Sequence, residues 1–334
     1  MKPRELVKKT MEFQNNTGAV PIDLWALPWA EMHYPNELMD ITKKFPKDFA
    51  TAPAVYADKP KTSGDQYGIG VYIDEWGCEF TNIQKGVIGE VKTPLILHDD
   101  WRDFEKAHIP KELLTFDIDA VNEFCKTTDK FVISDVLARP FERLQFIRGT
   151  ENIYIDLLSP PKHMVAFIAK MHDFNCALIE KWAKTSVDGI FFMDDWGSQN
   201  SLLINPKMWL DIFAPLYKEY IEIAHKYGKK ALMHSDGYIL SILPHLIDMG
   251  LDAINSQIFC MGIDNLKQYK GEITFWGEID RQHLLPNGTA EEIQHAVESV
   301  KQALWSNGGC IAQCEFGPGA KPENIEAVYK AWSN

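Results

Sequence analysis

Residues 188–238 read DGIFFMDDWGSQNSLLINPKMWLDIFAPLYKEYIEIAHKYGKKALMHSDGY. The stretch opens with GIFFMD (189–194), a short apolar run of strand-forming residues. It continues with PKMWLDIFAPLYKEYIEIAHKYG (206–228), whose apolar positions recur at helical spacing and whose closing Gly228 is a C-cap signal. It ends in a second strand run, KALMHS (230–235). Strand, helix and strand in this order form a βαβ unit, and such units build parallel sheets.

The pattern extends in both directions. FVISDVLA (131–138) precedes the helical FERLQFIR, and DAINSQ (252–257) precedes NLKQYKG. EITFWGEI (272–279) is followed by TAEEIQHAVESVKQALWSNGG, and CIAQCE (310–315) by PENIEAVYKAW. The strand runs are continuous and apolar, as expected when both faces of a sheet are covered. PIDLWAL (21–27) adds an early strand. A doubly wound sheet would carry a glycine-rich phosphate turn, but neither GxGxxG nor GxxxxGK[ST] occurs. The expected fold is therefore α/β, a (β/α)8 TIM barrel spanning residues 1–334 as a single domain. Residues 66–92, alternating and rich in Gly and aromatics, read as an inserted β-hairpin or meander.

Composition narrows the function. A formal charge of -13, with basic residues scattered, argues against nucleic acid as partner. No apolar run approaches a membrane span. MKPRELVKKTMEF lacks an apolar h-region and reads as an amphipathic first helix, so a cytoplasmic location is expected. The six cysteines contain no CxxC pair and are expected to be mainly buried thiols.

In a barrel of this class the chemistry sits where strands end. His234, Asp236, Gln257, Glu278, Cys314 and Glu315 fall at such ends, as do Asp194, Asp195 and Trp196. His234, Asp236, Glu278 and Cys314 make a candidate zinc set of imidazole, carboxylate and thiolate. Each also has a plain structural reading: a loop histidine, a turn aspartate, a buried thiol. Glu278, inside apolar WGEID, requires a partner if buried. Adjacent carboxylates on a strand point to opposite sides, so one of Asp194 and Asp195 caps backbone N–H groups while the other faces the cavity. Trp25, Trp29, His33 and Tyr34 could line a pocket for a flat substrate or belong to the core. His163 and His172, nine apart, miss the i, i+4 spacing of a helical metal pair.

The block from residue 188 to the C-terminus, with FWGEIDRQHLLPNGT, PENIEAV and VYIDEWGCEF (71–80), resembles the uroporphyrinogen decarboxylase superfamily. The resemblance implies the same barrel. The decarboxylases carry an arginine-rich MRQAGRY segment for porphyrinogen carboxylates, whereas DLWALPWAEMHYP here has no arginine, which disfavours that activity. The other branch holds corrinoid-dependent methyltransferases with a His-x-Cys zinc motif and a distant Cys before a PxENI-type helix. His234 matches the histidine and Cys314 the distant cysteine, while Asp236 stands where the middle Cys would be. The resemblance thus implies zinc on His234 and Cys314, completed by Asp236 or Glu278. A carboxylate in place of a thiolate leaves zinc a harder acid, suited to releasing an ether oxygen. The expected activity is demethylation of a small methylated substrate, such as an aromatic methyl ether, with the methyl passing to cobalt(I) of a corrinoid. No DxHxxG motif occurs, so that corrinoid is expected on a separate protein. Asp194 and Glu278 are the expected catalytic carboxylates, with Trp25, Trp29, Trp196, Tyr238 and Gln257 lining the substrate pocket. The alternatives are methyl transfer from a methylcorrinoid to a thiol or tetrahydrofolate, a decarboxylase-like lyase, and a non-catalytic binding barrel.

Overall fold

Eight strands give the chain its frame: β1 (Ile22–Ala26), β2 (Phe49–Thr51), β3 (Phe131–Val136), β4 (Gly189–Met193), β5 (Lys230–Ser235), β6 (Ala253–Ser256), β7 (Thr274–Trp276) and β8 (Cys310–Phe316). In the computed structural model, which describes residues 1–333, they pair in parallel in the order β1-β8-β7-β6-β5-β4-β3-β2. The ends of this series meet at Asp48, whose N–H donates to the Ile22 carbonyl at 2.8 Å. Its carboxylate accepts from the Ile22 N–H at 2.7 Å, so the barrel is nearly closed. The expected (β/α)8 barrel is the fold. β2 is the strand that sequence patterning does not reveal, because three residues are too few to show a period.

Strand alternation divides the apolar residues into two sets. Phe49, Phe131, Ile133, Phe191, Leu232, Ala253, Trp276 and Ile311 point inward and fill the barrel. Val7 and Met11 of the first helix, Pro3–Met11, join this interior and close its base. The much larger outer set packs strands against helices. Inside, aromatics share the layers with aliphatic side chains: Trp276 stacks on Phe49 at 5.1 Å and meets Trp25 edge-on at 5.5 Å.

The sequence expects one helix over 206–228, but two form, Pro206–Ile212 and Ala214–Lys226. Pro215 has no N–H to continue the first helix and sits where a new one begins. Gly228 lies just past the second, at φ +69°, in the left-handed conformation that suits a helix terminus.

Residues 66–92 form a three-stranded antiparallel sheet, Gly70–Ile73, Glu79–Asn82 and Glu90–Val91. Asp74 organises its first turn by accepting from the Trp76 and Cys78 N–H groups at 3.1 and 2.8 Å. The same carboxylate pairs with Arg143 of the helix Pro140–Arg148. Arg143 is buried and lies over the Trp76 and Phe146 rings at 4.9 and 5.5 Å, which pins the insertion to the barrel's outer layer. Among the described residues no helix is long and apolar enough to cross a membrane.

Candidate active site

The alternation that sends Leu232 into the barrel also sends His234 and Asp236 inward, one above the other at the end of β5. On β4, Phe191 points in, Phe192 out, Asp194 out and Asp195 in. The loops leaving these strands are tied together. The Gly197 N–H donates to the Asp236 carbonyl at 3.0 Å, and the Tyr238 N–H to the Ser198 carbonyl at 2.7 Å. The two loops cross at Gly197 and Gly237, where a Cβ on either residue would collide with the opposite backbone. Gly237 also has φ +79°, a conformation that costs glycine little. This crossing explains the DG in LMHSDGY: it lets Asp236 approach Asp195, whose carboxylate accepts the Asp236 N–H at 2.9 Å.

The imidazole sits between the two carboxylates. His234 Nε2 lies 3.4 Å from Asp195 Oδ1 and 3.6 Å from Asp236 Oδ1. Its Nδ1 faces the Asn255 side-chain oxygen at 2.5 Å, and the Asn255 amide nitrogen donates to the Trp276 carbonyl, which fixes the amide's orientation. Nδ1–H therefore donates to Asn255 and Nε2 is aimed at the carboxylates. The Trp25 ring, 5.3 Å away, forms the floor. Burial acts to lower the His234 pKa, but the Asp195 hydrogen bond and the charges of Asp236 and Asp195 raise it to about 10. Burial works to raise Asp195, yet His234, the Asp236 N–H and Arg139 together hold its carboxyl below the usual range.

A second ring of charge surrounds this group. Arg281 pairs with Asp236 and reaches Glu315 Oε2 at 3.2 Å and Glu278 Oε1 at 3.5 Å. Glu278 is buried, and desolvation, which Arg281 partly offsets, pushes it up to about 8. Gln257 lines a small cavity of ≈110 Å³ with Glu278 and Arg281, and its side-chain oxygen accepts the Gly237 N–H at 3.0 Å. A larger cavity of ≈790 Å³ runs beneath the inserted sheet, lined by Tyr67, Tyr72, Trp76, Phe80 and Phe146. It also includes Asp135, Arg139, Glu142 and Met193, which brings it to the end of β4 beside Asp195.

Several sequence expectations change here. Asp194 does not face the mouth. It is fully buried in the outer layer, where it accepts from the Phe141 and Glu142 N–H groups at 2.7 Å each and from the Tyr217 hydroxyl at 2.5 Å. It caps the helix Pro140–Arg148 through the Phe141 and Glu142 N–H groups, and Asp195 is the member of the pair turned inward, to His234. Trp196 is packing: it stacks on Phe141 at 4.2 Å and donates to the Tyr217 hydroxyl at 2.9 Å. Cys314 shares the outward face of β8 with Cys310 and Ala312, and its thiol meets Tyr329 at 3.5 Å. That helix-side position sets Cys314 apart from the His234 group, and burial pushes its thiol up to about 12. Trp29 stacks on His33 at 4.3 Å, and its backbone N–H donates to the Gly86 carbonyl of the insertion at 3.1 Å. Tyr238 is half-buried in the loop after β5, packed against the outer core. The sequence reading omitted Asp135 and Arg281. For Arg281 the available signal was its position three residues after Glu278 in GEIDR.

Asp195, His234 and Asp236 fit a metal ion. Their ligand atoms lie within 4.8 Å of one another, and neighbouring ligands on tetrahedral zinc are about 3.4 Å apart when each bond is about 2.1 Å. Asp236 Oδ1 is buried with no hydrogen-bond partner, as an atom reserved for a cation would be. Two carboxylates and one imidazole form a hard donor set.

A parallel barrel with a carboxylate–imidazole group at the C-terminal ends of its strands belongs to the class of TIM-barrel proteins whose site is built from strand-end loops. The model of the family described as "Uroporphyrinogen decarboxylase (URO-D)" matches residues 67–334, and the chain belongs to that family. Among solved structures, a methyltransferase from Methanosarcina mazei aligns with a TM-score of 0.66 at 13% identity, covering 99% of this chain and 98% of that one. An endo-β-1,4-xylanase from Gloeophyllum trabeum aligns over 66% of this chain and 81% of its own, with a TM-score of 0.40 and 12% identity. One from Caldicellulosiruptor owensensis covers 65% and 82%, with a TM-score of 0.39 and 15% identity. No curated protein sequence matches the chain.

Proposed function

We propose that the protein is a corrinoid-dependent methyltransferase that demethylates a small aromatic methyl ether, with zinc held by Asp195, His234 and Asp236. The observation that carries the reading is this hard ligand group at the barrel mouth, with an aromatic-lined cavity whose wall reaches Met193, two residues before Asp195. The zinc, when bound, supplies Lewis acidity toward the departing ether oxygen. The acceptor is the cobalt(I) of a corrinoid on a separate protein, to which the methyl carbon passes as its bond to oxygen breaks.

The chain's own residues do the rest. Asn255 holds the His234 tautomer, and Arg281 restrains Asp236 and Glu315. Tyr67, Tyr72 and Trp76 enclose a flat ring in a space of ≈790 Å³, a volume ordinary for a small-molecule site. Glu278, raised to about 8 by burial, lines the small cavity at the same mouth with Arg281 and Gln257 and would supply the proton that the freed phenolate oxygen takes up. Asp236 and Glu315 on Arg281, with Asp195 against His234, make an acidic mouth unsuited to a polycarboxylate, which supports methyl transfer over decarboxylation. The test is methyl transfer from methoxyarenes to reduced cobalamin by zinc-loaded protein. Methylcobalamin and free phenol forming in equal amounts would support the reading. No reaction with methoxyarenes, alongside methylation of a thiol or tetrahydrofolate from methylcobalamin, would refute it.

A further inference from the structure

A second group of metal-type ligands lies outside the barrel, on two helices with no part in the site above. His172 and Cys176 sit four residues apart on the helix Lys162–Ala183, hence on one face, and Glu219 comes from the neighbouring helix Ala214–Lys226. His172 lies four residues from the cysteine that completes a helical pair, although it is nine from the nearest histidine. Cys176 Sγ is 3.6 Å from His172 Nε2, and Glu219 Oε2 is 2.8 Å from the same nitrogen. All three ligand atoms lie within 4.8 Å of one another. On tetrahedral zinc, bonds of about 2.05 Å to nitrogen and about 2.3 Å to sulfur place those two ligands about 3.6 Å apart. Sγ has that separation but also lies 3.8 Å from Nδ1, beside the ring, so a turn about the Cys176 Cα–Cβ bond is what brings it round to a cation on Nε2. The Glu219 side chain is 55% exposed, so it can open its contact to admit an ion without disturbing the core.

The far side of the imidazole is fixed from beneath. His172 Nδ1 meets the Tyr220 hydroxyl at 3.2 Å, and that hydroxyl is buried and accepts from the Asn175 amide at 3.1 Å. This is the supporting arrangement metal-bound histidines use to fix ring orientation and aim the second nitrogen at the ion. A plain surface histidine–glutamate contact would require neither the thiol on the same face nor a buried hydroxyl behind the ring.

We infer that His172, Cys176 and Glu219 form a structural site for a thiophilic divalent cation, with water as fourth ligand, clamping two outer helices of the barrel. The softer thiolate-containing set separates it from the Asp195–His234–Asp236 group, and the inference stands independently of the proposed activity.

Cobalt(II) added to metal-free protein is the probe, because a thiolate-to-cobalt charge-transfer band reports sulfur ligation and the mouth group has no sulfur. The band is expected to saturate at one cobalt per chain and to be displaced by zinc. It should vanish in Cys176→Ser, weaken at least tenfold in affinity in Glu219→Gln, and persist in His234→Ala. Absence of the band in folded wild type, its persistence in Cys176→Ser, or its loss in His234→Ala would overturn the assignment.

Discussion

Glu278→Gln should change how stability depends on pH. Glu278 is 2% exposed, and burial moves its carboxyl from an ordinary 4.5 to about 8. The folded state therefore holds a proton that the unfolded chain releases between these values. Its stabilising contribution is complete below about pH 4.5, declines as pH rises, and is gone above about 8. At about 1.4 kcal/mol per pH unit, the full span is worth roughly 5 kcal/mol as a ceiling. Glutamine keeps the shape without titrating. Urea denaturation of chelator-treated wild type and Glu278→Gln from pH 5 to pH 9 is the assay. The variant should gain on wild type by several kcal/mol across that range, mostly between pH 5 and 8. Parallel profiles would refute the claim that Glu278 is buried in protonated form.

Asp194 and Asp195 should separate cleanly. Asp194→Ala strands two N–H groups and a tyrosine hydroxyl in the outer layer, and should cost about 3 kcal/mol of stability, read by denaturant titration. Asp195→Asn should leave stability within about 1 kcal/mol of wild type while weakening zinc at the mouth at least tenfold, read by competition with a chelating dye. Arg143→Leu leaves Asp74 buried and unpaired, at a cost of about 3–5 kcal/mol, and should expose the 66–92 insertion to limited proteolysis before the barrel is cut.

Much of this was legible in the sequence for a physical reason. Long amphipathic helices and fully buried strands carry strong periodic signals, so the barrel, its inserted meander and the ring of strand-end residues could be read from spacing. β2 could not, because residues 49–51 are too few to show a period. Within the site, the governing variable was the parity of each strand. Reading β8 as Ile311, Gln313 and Glu315 inward would have put Cys314 on the helix side, as the structure does. The same logic on β4 would have favoured Asp195, since Phe191 is an interior residue. A motif match fixes a residue's place along the chain, while its direction depends on alternation, which the motif does not encode. The Arg281 network was hidden because its partners, Asp236, Glu278 and Glu315, come from three separate strand ends.

The most direct test of the account is zinc content by elemental mass spectrometry in a Cys176→Ser background, which removes the outer site. One zinc per chain is expected, lost in His234→Ala and retained in Cys314→Ala. Zinc that survives the loss of His234, or departs with Cys314, would contradict the Asp195–His234–Asp236 centre.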